Sequence, residues 1–308
     1  GKALANVAKD LQKYKVEKAV GNLDYEQIRT PLTPLTEKEL LYCENDIRVI
    51  LCYIQEKIEQ DGDITKIPLT NTGYVRNYCR KECYSRWKPY RKVMESLTLE
   101  ADEYSQLKRA FQGGFTHANA HYVGKVLDKV GSHDFTSSYP AVMVLEKFPM
   151  AKAEYISNGI NESELMELLI TRCCLFDIEI WGLMPKLFHE HPISRYKCPV
   201  CENAIVDNGR IVMAEHIITT ITEQDFFVYT EFYTWDRIEI KNLRTYQKNY
   251  LPKNFVQSVL NLYEKKTVLK DVKGEEVNYM ISKNMINASY GMAVTDPIRD
   301  ELTFSDKT

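Results

Sequence analysis

No apolar run in this chain approaches the roughly 18 residues that a membrane-spanning helix needs. The best stretch, Ile47 to Ile54 (IRVILCYI), is short and carries Arg48. The expectation is therefore a protein without a membrane partner. A basic n-region followed by an apolar h-region is also missing, so no signal peptide is expected. The sequence opens on Gly1 rather than Met, as a chain that begins mid-protein does. No internal repeat and no low-complexity tract interrupts it. Charge of one sign is lacking too: the net charge is −3. That value neither demands nor excludes nucleic acid, because binding depends on local patches.

What is present is an ordinary globular composition, 44% hydrophobic and 27% charged, in 308 residues. That length suffices for two domains with their own cores. The eight cysteines are spread over the whole chain. Without a secretory signal they read as reduced thiols in a cytoplasmic setting.

The first sixty residues read as helical at both ends. Thr36 and Glu39 form a capping box, and Leu40, Ile47, Ile50, Leu51, Ile54 and Ile58 follow near helical spacing. Asp61 to Gly73 reads as a loop at a domain boundary. Tyr122 to Ser132, rich in Val and Tyr, reads as extended, and Pro140 suits the first position of a helix capped by Ser137 or Ser138. This places Asp134 at a strand end near a helix N-terminus, a position that suits phosphate and a metal-holding carboxylate. The stretch from Ala151 to Asn242 reads as mostly β, with Asn208-Gly209 as a hairpin turn. Helices return at Pro252 to Lys266 and at Glu275 to Gly291, the latter stopped by Gly291.

In that last helix Lys283, Asn287 and Tyr290 share one face, at i, i+4 and i+7. A cation, an amide and a phenol aligned in this way can grip a triphosphate and stack on a base. The competing reading is a solvated Lys beside an Asn and a Tyr that fringe the core. Tyr42 and Asp46, one turn apart, otherwise read as an exposed helix face with a buried Tyr. Asp134 alone otherwise reads as a turn or capping residue.

Taken together, four motifs resemble family B DNA polymerases. DFTSSYP (Asp134 to Pro140) resembles their D-x-x-S-L-Y-P motif, and KNMINASYG (Lys283 to Gly291) resembles K-x-x-x-N-S-x-Y-G. FQGGF (Phe111 to Phe115) is similar to the Y-x-G-G element, and YCEND (Tyr42 to Asp46) to the third proofreading-exonuclease motif. The long β-rich stretch between the first two motifs resembles the protein-primed branch, whose insertion contacts a terminal protein. The resemblance implies an α+β fold. The C-terminal part of a ribonuclease H-like 3'-5' exonuclease domain, residues 1–62, would precede a linker and basic-aromatic segment, 63–110. A polymerase palm with its insertion at about 151–250 and helical fingers would fill 111–308.

The same resemblance assigns roles. Asp134 would bind two Mg2+ or Mn2+ ions, with the main-chain carbonyl of Phe135 on one of them. Tyr139 would exclude a 2′-hydroxyl, and Lys283 would hold the phosphates of a dNTP with Asn287 and Tyr290 near the nascent pair. Lys265 and Lys266 both stand as candidates for a second phosphate-binding lysine. Phe111, Gly113 and Gly114 would meet primer-template DNA. Asp46 would be an exonuclease metal ligand, with Tyr42 orienting the attacking water.

Departures from the pattern matter as well. Nothing before Tyr42 is read as the exonuclease's D-x-E pair and further Asp, and no D-T-D follows Gly291, so the chain reads as a fragment, inactive alone. Phe111 replaces a Tyr, Ser138 a Leu and Ala288 a Ser. A non-catalytic nucleic-acid-binding or replication-accessory protein on a degenerate polymerase fold is the alternative.

Two weaker patterns remain. Tyr74 to Lys92 interleaves seven Lys/Arg with five aromatics, and its Arg76, Arg80, Arg86 and Lys88 could track a phosphate backbone or form a solvated basic helix. Cys198 and Cys201, with Cys173, Cys174, His189 and His191, could make a zinc site. A lone C-x-x-C is weak evidence for zinc, and a turn with two free thiols is the simpler expectation.

Overall fold

A computed structural model describes residues 3–16, 26, 28–86, 89–118, 120–156, 160–187, 190–296 and 298. The elements run α1 (Leu4–Asp10), α2 (Glu37–Asp61), α3 (Asn71–Arg86), α4 (Tyr90–Ser96), α5 (Ala101–Ala110) and α6 (Ser138–Leu145). They continue with β1 (Lys147–Pro149), β2 (Glu154–Ile156), α7 (Glu162–Thr171), β3 (Cys173–Pro185), β4 (Val200–Glu202), β5 (Ile205–Asp207) and β6 (Arg210–Thr222). The last are α8 (Glu223–Phe232), β7 (Tyr233–Thr234), β8 (Arg237–Tyr246), β9 (Lys248–Tyr250), α9 (Lys253–Val268) and α10 (Glu276–Ala293). The fold is α+β, in two compact units: residues 1–81 with 257–308, and residues 82–256.

The first unit is helical. Its long helix α2 starts on the Thr36–Glu39 capping box, which satisfies two otherwise orphaned N–H groups. Glu56 on α2 accepts from the backbone N–H groups of Gln12, Lys13 and Tyr14 at 3.0, 2.6 and 2.8 Å. Glu59 accepts from the Lys13 ammonium at 2.6 Å and the Tyr14 hydroxyl at 2.5 Å. The segment after α1 is thus clasped to the C-terminal half of α2. In the N-terminal half the expected apolar stripe faces outward: Leu40, Ile47, Ile50 and Leu51 are exposed, and Val49 is the buried residue. Periodicity marked the stripe correctly, but the clasp covers only the other half of the helix.

The second unit is built on a sheet ordered β2-β8-β3-β6-β4, with β5 paired to β6 and β7 to β3. Every pairing among these strands is antiparallel. The central strand β3 alternates: Phe176, Ile178 and Ile180 enter the core, while Asp177, Glu179 and Trp181 face the other side. On the core side α7 contributes Leu165 and Leu169, α8 contributes Phe226 and Tyr229, and β6 contributes Ile217 and Ile221. Burying each such side chain contributes about 1.5–3 kcal/mol. Asn208 (φ 45°) and Gly209 (φ 74°) make the expected tight turn between β5 and β6.

The segment from Tyr122 to Ser132 is not a strand. A short 3-10 turn ends at Tyr122, and irregular chain follows as far as Asp134. Positive φ at Gly124 and Lys129 breaks the extended run, and Val123, Val126 and Val130 are exposed. β-branched residues favour strands through packing on neighbours, and here there is no neighbouring sheet surface for them to cover.

Candidate functional site

Asp134 lies in irregular chain, exposed, four residues ahead of α6. Helix α6 begins at Ser138, so Pro140 is its third residue rather than its first and is buried. Ser137 is the N-cap, in the left-handed conformation at φ 51° and ψ 49°. Phe135 is 86% exposed and Tyr139, on the first turn of α6, is 53% exposed. The carboxylate, the Phe135 main chain and the phenol therefore open on solvent within one short segment, beside a helix N-terminus as expected.

Phe111 caps the end of α5 and is half exposed. A Cβ added at Gly113 or Gly114 would meet nothing within 4 Å, so this irregular stretch faces open space. Its position is set by α5, whose polar side is fixed to the sheet. Arg244 pairs with Asp102 and donates to Gln106, and the Gln106 amide donates to the Asn242 carbonyl at 2.9 Å. The Tyr246 hydroxyl donates to Glu103 at 2.9 Å. Arg109 donates to Thr220 at 3.2 Å and lies 3.4 Å from Asp177, which also accepts from Thr220 at 2.7 Å and from Asn242 at 2.7 Å. Asp177 is thus a fully engaged joint between α5, β3, β6 and β8. Sequence reasoning missed it, and only its polar type inside the apolar run of β3 hinted at it.

In the other unit, α10 places Lys283 and Asn287 in solvent with Tyr290 half buried, while Ile286 and Ser289, on the flank beside Tyr290, are buried. The expected shared face is therefore present as a polar, accessible one. Helix α10 runs through Gly291 to Ala293, a correction to the expected stop. Gly291 instead serves packing: a Cβ there would lie 3.2 Å from Thr72 Cγ2. On α9, Lys265 is exposed with its ammonium 5.4 Å from the Tyr78 ring centroid, and Lys266 is half buried with its own 5.5 Å from that of Tyr263. Arg76 and Arg80 are exposed, one turn apart on α3, which buries Val75, Cys79 and Cys83. The Arg86 side chain and Lys88 lie outside the described residues.

Tyr42 and Asp46 are half buried on α2. Asp46 Oδ1 is shielded from solvent and has no hydrogen-bond partner. An acceptor in that state suits a cation, yet it is one ligand only. Among the described residues no three His, Cys, Asp or Glu side chains converge to hold a metal ion. The residues present therefore fit single ligands and not a complete two-metal centre.

All eight cysteines are free. Burial pushes the Cys198 thiol up to about 12, with Cys201 adding to the shift. Burial and the nearby Glu223 carboxylate do the same to Cys173 and Cys174. Zinc would have to displace those protons on binding, and His189 lies outside the described residues.

With the fold and these surfaces in view, the chain belongs to the family of type B DNA polymerases, organellar and viral, which matches residues 4–308. It is 25% identical over 293 residues to the DNA polymerase of Bacillus phage Nf, across 94% of this chain and 46% of that protein. It is 28% identical over 143 residues to the DNA polymerase of Bacillus phage phi29, across 46% of this chain and 23% of that protein. The chain thus spans about half the length of the Nf polymerase. A solved structure of phi29 DNA polymerase superposes with a TM-score of 0.66 at 19% identity, covering 96% of this chain and 47% of that one. Another, complexed with primer-template DNA and incoming nucleotide substrates, gives 0.61 at 18%, covering 94% and 46%. At these identities the superpositions establish the shared fold. Among the described residues no helix is long and apolar enough to cross a membrane.

Proposed function

We propose that this chain is the nucleotide- and DNA-binding part of a template-directed, protein-primed DNA polymerase. The observation that carries the reading is the family match over residues 4–308, joined to an exposed Lys283 and Asn287 and a half-buried Tyr290 on α10. Lys283 would neutralise the phosphates of an incoming dNTP, with Lys265 or Lys266 as a second cation. Asn287 and Tyr290 would border the nascent pair. Tyr139, exposed beside Asp134, would exclude a ribose 2′-hydroxyl by collision. Phe111, Gly113 and Gly114 would let primer-template backbone approach closely.

Asp134 and the Phe135 carbonyl would supply ligands to divalent Mg2+ or Mn2+, which in such reactions activate the primer hydroxyl and neutralise the triphosphate. Asp46 and Tyr42 would belong to an associated 3'-5' exonuclease. A terminal protein would offer the priming hydroxyl, in the cytoplasm of an infected bacterium. The second reading, a non-catalytic DNA-binding or replication-accessory protein, draws support from the lack of a converged donor set among the described residues.

Primer extension with Mg2+ or Mn2+, run beside anisotropy on labelled primer-template, tests both readings. The expected result is DNA binding by the parent chain, and dNTP photocrosslinking that Lys283→Ala reduces at least tenfold. Extension abolished by Asp134→Ala would exclude the accessory reading. No binding to DNA and no dNTP crosslink would sink the polymerase reading for this chain.

A further inference from the structure

Just after Gly113 and Gly114 stands a stack of side chains that none of the roles above uses. The Phe115 and His117 rings are parallel, with centroids 4.2 Å apart and 15° between planes. The Arg210 guanidinium carbon lies 4.8 Å from the centroid of the same Phe115 ring. Both groups pack on this one ring. Arg210 is held there by its own bond to the Pro192 carbonyl, at 2.9 Å. Phe115 is half buried between its neighbours, whereas His117 is exposed. His117 is thus the member of the stack open to solvent.

The surroundings are cationic and aromatic. The backbone N–H of Arg195 donates to the Gly209 carbonyl at 3.0 Å, which brings Arg195, Tyr196 and Lys197 against the β5–β6 turn next to Arg210. Tyr196 is 90% exposed, and its ring lies 3.4 Å from where a Cβ of Gly209 would stand. Asp207, paired across the turn with Arg210, is the acid of this turn. Pre-stacked aromatic rings with interleaved cations are what unpaired nucleotides bind: each base has a π-face, and the cations follow the phosphates. Duplex DNA hides those faces in its own stack and cannot use a lone exposed ring.

We propose that His117, backed by Phe115 and Arg210, is a stacking platform for an unpaired base of single-stranded DNA, and that Tyr196 and Lys197 continue its track. The proposal rests on the reading that this chain binds DNA, and it adds a site in the unit that does not carry Lys283.

The test uses a single-stranded oligonucleotide bearing one 2-aminopurine, with the same strand end-labelled for anisotropy. Stacking on His117 should quench the 2-aminopurine. His117→Ala should abolish the quench and weaken single-strand affinity about tenfold. His117→Phe should restore both, and Arg210→Ala should weaken both. Because His117 is exposed, its alanine variant should keep the parent circular-dichroism spectrum. If His117→Ala leaves quench and affinity unchanged while primer-template binding persists, the platform is overturned and the DNA-binding reading stands. Equal dependence on His117 with fully paired duplex would overturn the single-strand assignment. No binding of any DNA by the parent would overturn both.

Discussion

Gly182 sits inside β3 with φ at +66°, where the strand bends away from β8 toward its short pairing with β7. A Cβ there would stand 2.0 Å from Asp236 Oδ2 and 2.5 Å from its Cγ. Asp236 cannot drift far, because its backbone N–H donates to the Trp181 carbonyl at 3.0 Å. Two costs therefore add in Gly182→Ala: a left-handed backbone, about 1–2 kcal/mol, and a clash that the carboxylate relieves only by turning. The expected loss is about 2–4 kcal/mol in urea unfolding. Adding Asp236→Ala should return the clash portion and leave the backbone portion. A Gly182→Ala chain as stable as the parent would show that the bend is not required. Nothing local in the sequence marked this glycine, since its constraint comes from a distant residue. Asn208-Gly209 was legible because a two-residue turn is a local property, and Lys283, Asn287 and Tyr290 were legible because helical spacing is local too. Asp177 and His117 were not legible: their meaning lies in partners contributed by other elements.

Elements were readable where local rules dominate. The Thr36–Glu39 box located the start of α2. Equivalent boxes at Glu100, Asn161 and Thr222 begin α5, α7 and α8, helices left unassigned, the last two within the stretch from Ala151 to Asn242 expected to be mostly β. The extended reading of Tyr122 to Ser132 failed because composition was taken without a partner surface. The clasp between α1 and α2 carries a pH prediction. Hydrogen bonds from Lys13, then Tyr14 and Gln55, lower the Glu59 carboxyl from its ordinary 4.5 to about 2. A carboxyl depressed on folding contributes stability that is full above the unfolded value and fades as pH falls through the folded one. Urea midpoints of the parent and of Glu59→Gln should differ at pH 6 and converge as pH drops from 4.5 toward 2. Parallel midpoint curves across that window would mean that the clasp contributes no pH dependence.

At the scale of the whole molecule, two non-local facts escaped the sequence: residues 257–308 join residues 1–81 in one unit, and the sheet order β2-β8-β3-β6-β4 departs from chain order. Both depend on pairings between distant segments, which periodicity does not encode. The net charge of −3 is a global quantity as well, and it sets the last expectation. A chain that is slightly acidic overall gains no general attraction to DNA, so affinity must come from local cations. Arg76 and Arg80, exposed one turn apart on α3, are such a pair. Each cation that neutralises a duplex phosphate adds about 0.9 to the slope of log affinity against log salt, because a counterion is released. Primer-template affinity measured from 50 to 200 mM salt should therefore fall steeply for the parent chain. The Arg76→Ala, Arg80→Ala double variant should bind more weakly at low salt, with a slope smaller by about 2. As salt rises the two lines should converge, since the lost contacts are ionic. Parallel lines would mean that these arginines form a solvated face and that the DNA path runs elsewhere on the chain.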